Sequence, residues 1–356
     1  AQMDDVFMNA INKVREGKPT LIEIDCYRLN SHSKGDDNRD IEEINAFREK
    51  DVLNCFSKTN PQEYLSYLKE AEDTLDKFIE DVEKSPMLTM VPVKQLVQST
   101  PVSYKPINGY EKIRGNESIY NALKKWLSTN EKAVMIGEDI AHSSPYTSIP
   151  YGGAFKVSKD LSDLFPERVK NTPISESSVT GVGIGLALMG YPALVEIMFG
   201  DFMTLTLDQL LQHASKISSM YGRKVDLPLV VRTPMGGRRG YGPTHSQSIE
   251  KHFFGIPDVD VVAINNAVLP EIIYKQLLDH LNTPTVIIEN KVQYTRTSFK
   301  IADGFCLQIT DEKLPTVIYG PDTNFTDLTI VCYGGMLEIV KAISEKMAHQ
   351  DIICEI

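Results

Sequence analysis

The stretch Asn171–Phe202, NTPISESSVTGVGIGLALMGYPALVEIMFGDF, decides the fold. It opens on a short polar turn and continues as an apolar helix with glycine at 181, 183, 185 and 190. A buried strand, PALVEIM, follows, and then a second turn that holds Asp201 and Phe202. Glu176 stands where the first turn passes into the apolar segment, and no lysine or arginine occurs between Lys170 and Lys216. A carboxylate in such surroundings loses hydration and its pKa rises, which suits a group that holds or shares a proton near neutrality. The same position also reads as an ordinary first-turn acid of a helix capped by Ser175, complementing the helix dipole and doing nothing more. Local residue types leave both readings open.

Each helical glycine costs roughly 1 kcal/mol relative to alanine, so close approach of another backbone, a ligand or a second subunit is expected there. A dinucleotide fingerprint does not fit. GVGIGL has leucine where the third glycine or alanine belongs, and Glu196 is too near to be the ribose-binding acid. Outward from this stretch, apolar strands alternate with helical patterns: KAVMIGEDI, PALVEIM, LPLVVRTP, DVDVVAI and PTVIIEN, with helices expected at 206–220, 246–254 and 269–281. That alternation predicts an α/β fold, a parallel sheet with helices on both faces.

The 356 residues are 42% hydrophobic and 24% charged, as in a soluble globular chain of two or three units. A net charge of -11 argues against nucleic acid or an anionic membrane as partner. Cys26, Cys55, Cys306, Cys332 and Cys354 are odd in number and unpaired in spacing, so they read as reduced core thiols in a reducing interior, cytoplasm or an organelle matrix. No CxxC or HExxH spacing occurs, and an all-protein metal site is not expected. Neither an apolar run of about 18 residues nor a signal-peptide pattern is present.

TPISE, the glycine-rich helix, GYPALVE, the GDF turn and RTPMGGRRGYGPTHSQS (232–248) stand in that order, after GED at Gly137–Asp139 and GGAFKV at Gly152–Val157. Together they resemble the beta-type subunit of thiamine-dependent 2-oxo acid dehydrogenases, the decarboxylating component of the pyruvate and branched-chain complexes. The resemblance implies a transketolase-like pyrimidine-binding domain in which Glu176 hydrogen-bonds a ring nitrogen of the aminopyrimidine of thiamine diphosphate. It also implies that Phe202 stacks on that ring and that His245 moves protons at the mouth of the site and helps acylate a lipoyl arm. Read from residues alone, Phe202 is ordinary core and His245 caps a helix beginning at Ser246. Met198 either lines the pocket or fills a gap in the core. Arg238 and Arg239 either face an anionic substrate or form a solvated surface pair.

Near the N-terminus, PTLIEIDCYR (19–28) reads as a strand; HS, a run of aspartates and Arg39 follow, then helical patterns over 42–58 and 62–83. This segment resembles the C-terminal part of the alpha-type subunit of the same enzymes. The resemblance implies that His32 reaches the active site, that Arg28 is the arginine of the family's YR pair and that the loop 33–39 orders around the cofactor. On residue type, His32 is also a plain solvated loop histidine. The alpha-type GDG with its following asparagine is missing, so the ligands of magnesium and the diphosphate are expected outside this chain.

The expected organisation is an alpha-type tail over 1–83, a proline-rich linker over 84–116, the pyrimidine-binding domain over 117–300 and the start of a second α/β domain over 301–356, cut short. The implied activity is oxidative decarboxylation of pyruvate or a branched-chain 2-oxo acid with acyl transfer to lipoamide. It would take place in a homo- or hetero-oligomer that includes an alpha-type half and a lipoyl-bearing acyltransferase. The isolated fragment is expected to be inactive. A transketolase-like or acetoin-cleaving enzyme and a non-catalytic assembly subunit are the competing expectations.

Overall fold

The computed structural model describes residues 2–31, 37–87, 102–110, 112–142, 151–297, 299–323 and 325–356. They fall into two units, Ala1–Gln98 and Ser99–Ile356. His32 and most of the loop 33–39 lie outside the described residues, as does much of the segment 84–116.

The first unit is built of helices α1 (Gln2–Arg15), α2 (Ile41–Arg48), α3 (Val52–Thr59) and α4 (Pro61–Lys84). The pattern over 42–58 is two helices rather than one. Asp51 ends the continuity by accepting from the Leu53 and Asn54 backbone N–H groups as the cap of α3, and Asp40 caps α2 in the same way through Glu42. Pro61 opens α4, where a missing N–H costs nothing. TLIEIDCYR forms no strand. The named elements of this unit are all helices, so a lone extended segment finds no ladder, and Leu21 is 93% exposed. Its end is pinned through Tyr27, whose ring stacks on Phe47 at 3.8 Å and has the Arg39 guanidinium 5.0 Å from its centroid.

In the second unit the chain runs β1 (Tyr104–Ile107), α5 (Gly115–Thr129), β2 (Val134–Gly137), α6 (Leu161–Leu164), β3 (Val169–Asn171), α7 (Glu176–Leu188) and β4 (Ala193–Glu196). It continues with α8 (Ile217–Met220), β5 (Leu229–Met235), β6 (Asp260–Ala263), α9 (Pro270–Leu278) and β7 (Thr285–Asn290). Strands β3-β2-β4-β5-β7-β6 form one six-stranded sheet with every pairing parallel. Successive side chains alternate between its faces. Met135, Leu194, Val230 and Ile287 pack with α5 and α9, whereas Ile136, Val195, Val231 and Val286 pack with α7 and the segment after it. This is the α/β architecture that the apolar runs predict.

The end of the chain adds β8 (Phe305–Thr310), β9 (Val317–Pro321), β10 (Leu328–Thr329), α10 (Leu337–Ala348) and β11 (Cys354–Glu355). β1 pairs antiparallel with β8, so residues 104–107 of the stretch read as a linker belong to a sheet, β1-β8-β9. β10 and β11 pair in parallel around α10, the strand, glycine turn, helix and strand legible in the sequence. All five cysteines are free, but only Cys354 is buried; Cys26 and Cys55 are exposed, against the expectation of core thiols. Among the described residues, no helix is long and apolar enough to cross a membrane.

Three of the glycines within 181–190 stand in different surroundings. A Cβ on Gly183 would meet Val195 Cγ2 at 2.5 Å, so this glycine lets α7 lie close on β4. Gly190, at φ 80°, is the left-handed residue of a Schellman end in which Tyr191 N–H bonds Leu186 C=O and Gly190 N–H bonds Ala187 C=O. At Gly185 nothing lies within 4 Å. Chemical denaturation separates these roles: Gly185→Ala gains about 0.5–1 kcal/mol from helix propensity alone, whereas Gly183→Ala loses about 1–2 kcal/mol net because the added methyl forces the helix off the sheet. Equal effects of the two would contradict the packing described.

Candidate active site

Chain order reverses at β2: the next strand, β3, is added on one side and β4 on the other. In a parallel sheet such a reversal opens a crevice beyond the carboxyl ends of the strands, where helix N-termini and loops converge. The residues that directly follow those ends are Glu138 after β2, the turn to Glu176 after β3, Met198 to Phe202 after β4, the loop to His245 after β5, and Lys291 after β7.

Glu176 is the first residue of α7 and is 8% exposed. The capping alternative is half met. Ser175 occupies the N-cap position but its hydroxyl makes no cap bond, donating instead to Ser178 Oγ at 2.9 Å. Glu138, half-buried, faces the same corner. Burial raises its pKa above the ordinary 4.5, the nearby Glu176 charge raises it further, and the Ser175 backbone N–H acts in the opposite sense. Its Oε1 is buried without a hydrogen-bond partner. Glu138 lies in the GED motif, yet the sequence reading gave it no role; an acid at the last turn of an apolar strand was the signal.

α7 packs on the 3₁₀ turn Gly200–Thr206, which carries Phe202. A Cβ at Gly200 would lie 2.3 Å from Met235 Cγ, so only glycine lets this turn sit against β5. The half-buried Phe202 ring meets Phe199 edge-on at 5.9 Å, and His245 stands edge-on to both, 4.7 Å from Phe199 and 5.3 Å from Phe202. His245 closes a 3₁₀ turn, Pro243–His245, and no helix begins at Ser246. It therefore caps nothing. The Gln247 peptide N–H turns to Asp201 Oδ1 at 3.2 Å instead of continuing a helix, and only a 3₁₀ turn, Glu250–His252, follows. Thr244 Oγ1 lies 3.0 Å from His245 Nδ1, leaving Nε2 for another partner. Met198 is half-buried against the α5/α9 side of the core.

Arg238 and Arg239 are exposed on the loop between Gly236 and His245. Arg238 adopts a left-handed backbone, φ 65°, and Arg239 Nη1 reaches the Lys291 carbonyl at 3.4 Å. Arg28, in the first unit, is exposed, and its carbonyl accepts from Arg39.

Beneath the crevice lies a charged cluster absent from the sequence reading. Arg232, 1% exposed, donates to Glu196 and to Glu289, and the Tyr274 and Tyr294 hydroxyls donate to Glu289. Burial raises the Glu196 pKa in spite of the guanidinium beside it. The Glu138 shift gives a signed prediction. A carboxyl that holds its proton more firmly folded than unfolded makes stability fall as pH rises above about 4.5 through its raised value. Glu138→Gln removes that fall, so the melting temperature of the variant gains on the parent as pH climbs from 4 to 7. A gap between the two that does not change with pH would contradict the placement of Glu138.

Residues 111–297 match the family described as "Transketolase, pyrimidine binding domain", and residues 7–87 match the one described as "Dehydrogenase E1 component". The chain is 28% identical over 254 residues to the pyruvate dehydrogenase E1 component subunit beta-1, mitochondrial, of Arabidopsis thaliana, covering 70% of this chain and 65% of that protein. It is 33% identical over 203 residues to the pyruvate dehydrogenase E1 component subunit beta of Porphyra purpurea, 57% of this chain and 56% of that one. It thus spans less than two thirds of the length of both. A solved structure titled "Split gene transketolase, inactive beta4 tetramer" aligns at 19% identity and TM-score 0.47, over 69% of this chain and 71% of that chain. With more than half its length matched by that model, the chain belongs to the transketolase pyrimidine-binding domain family, and residues 7–87 ahead of that domain are similar to the E1 dehydrogenase component.

Proposed function

We propose that this chain supplies the aminopyrimidine half of a thiamine diphosphate site in the decarboxylating component of a 2-oxo acid dehydrogenase. The observation that carries the reading is the pair Glu176 and Glu138 at the reversal of the sheet, with no cation among the groups acting on Glu138 and with its Oε1 lacking a partner. What Glu138 Oε1 lacks is a hydrogen-bond donor, and an aminopyrimidine edge at this corner fits because it offers N–H groups in a plane. When bound, the cofactor supplies a nucleophilic thiazolium carbon and an electron sink for decarboxylation.

The chain's own residues do the rest. Glu176 places its carboxyl at the ring nitrogen as the hydrogen-bond partner that orients the ring and exchanges a proton with it. Phe202 offers a flat apolar face to the ring, and His245, edge-on to that phenyl, moves protons through Nε2. Arg238 and Arg239 draw the substrate carboxylate toward the mouth. Magnesium and the diphosphate belong to an alpha-type half, to which we also assign His32 and Arg28 as the tail of such a half carried on this chain. The acyl group passes to lipoamide on a partner acyltransferase.

The test is 2-oxo acid-dependent reduction of lipoamide by the full-length protein with its alpha-type half, with sugar phosphates and acetoin as competing donors. Glu176→Gln lowers turnover by about 10²–10⁴-fold while the fold is retained. Unchanged turnover would leave an assembly subunit as the reading, and preference for a sugar phosphate a transketolase-like enzyme.

A further inference from the structure

Two buried charges at the crevice remain without a role. Lys291 directly follows β7 and is 0% exposed. Its Nζ donates to the His245 backbone carbonyl and lies 4.9 Å over the Phe199 ring. Asp201, 8% exposed, lies in the turn after β4; its Oδ1 accepts from the Gln247 backbone N–H at 3.2 Å and from Gln247 Nε2 at 2.8 Å. The turn between these contacts is closed from a third side by Gly236 N–H on the Gln247 carbonyl at 3.0 Å. Burial pushes the lysine's pKa down and the Asp201 charge pushes it back up, so the two groups feel one another although they grip different peptides.

We propose that Lys291 and Asp201 are positioning residues for His245, a buried cation and a buried anion that hold the two ends of the His245–Gln247 turn and press the imidazole against Phe199 and Phe202. Polarity matches at each end: the ammonium takes a carbonyl and the carboxylate takes an N–H. The sheet does not require the Lys291 side chain, because the hydrogen bond from Lys291 N–H to the Met235 carbonyl, at 3.2 Å, is made by backbone that any residue supplies. A buried lysine is costly to desolvate, and a carbonyl on a glycine-rich loop finds a weaker partner in water, so the pair is explained by the fixed position it gives the ring. The inference rests on the thiamine reading only where turnover is concerned. The clamp itself is a statement about the loop.

The experiment compares Lys291→Met and Asp201→Asn with the parent in the full-length protein paired with its alpha-type half. Hydrogen exchange of the peptide spanning 242–248 is expected to accelerate about tenfold or more in both variants, with the strands of the six-stranded sheet unchanged. In turnover, kcat falls about 10–100-fold while KM and the thiamine diphosphate Kd stay within about threefold, the signature of a misplaced reacting group rather than a lost binding contact. Unchanged exchange over 242–248 would overturn the proposal. So would acceleration throughout 99–356, which marks the pair as ordinary fold stability. Exchange is read whether or not the enzyme turns over a 2-oxo acid, so the clamp and the functional reading fail separately.

Discussion

A guanidinium shared by two carboxylates fixes how the central strands of this molecule meet. Arg232 on β5 reaches Glu196 at the end of β4 and Glu289 on β7, so one side chain spans the middle of the sheet on the face covered by α5 and α9. Two acids and one base leave an excess negative charge in a dry place. Such an excess is tolerable only with further donors, and the Tyr274 hydroxyl from α9 and that of Tyr294 supply them. The cluster thereby sets the register of β4, β5 and β7 against one another and fixes the level from which the loops of the crevice depart.

Everything placed above that level follows from strand direction. All six strands are parallel, so the segments after β2, β3, β4, β5 and β7 emerge at one edge, and the reversal of order at β2 separates the loops carrying Glu138 and Glu176 from that carrying Phe202. Tight contacts convert this arrangement into precision. Gly183 lets α7 approach β4, and Gly200 lets the Phe202 turn sit on Met235. The aromatic contacts of Phe199, Phe202 and His245 then join the β4 and β5 loops.

Much of this is written locally in the sequence. The apolar runs, the turn before Glu176 and the glycine-rich helix announce parallel strands and a helix start, because each is decided by near neighbours. What was not legible depends on partners distant in sequence. TLIEIDCYR has a strand's composition but no strand beside it. The segment 206–220, patterned as one helix, starts at the last residue of the 3₁₀ turn Gly200–Thr206 and passes through a π turn over Gln209–Ala214 to the short α8. There the hydroxyls of Thr206 and Ser215 bond the Met203 and Leu211 carbonyls from within the coil. Residue type left His245 open between a helix cap and a site residue; the structure removes the cap, because Gln247 bonds Asp201 and no helix begins at Ser246. Glu138 and Lys291 escaped notice because a charged residue just after a strand looks solvated until the fold buries it, and Arg232, in the middle of β5, because its carboxylate partners lie on other strands.

The central claim is that the Glu176 carboxyl faces the ring nitrogen of a bound aminopyrimidine. The direct measurement is calorimetric titration of the assembled enzyme, parent and Glu176→Ala, with thiamine diphosphate and with an analogue carrying C–H in place of that ring nitrogen. A hydrogen bond involving a charged group predicts that either change alone weakens binding by about tenfold or more, and that both together weaken it no further than one. Losses that simply multiply would show that the carboxyl and the ring nitrogen do not meet.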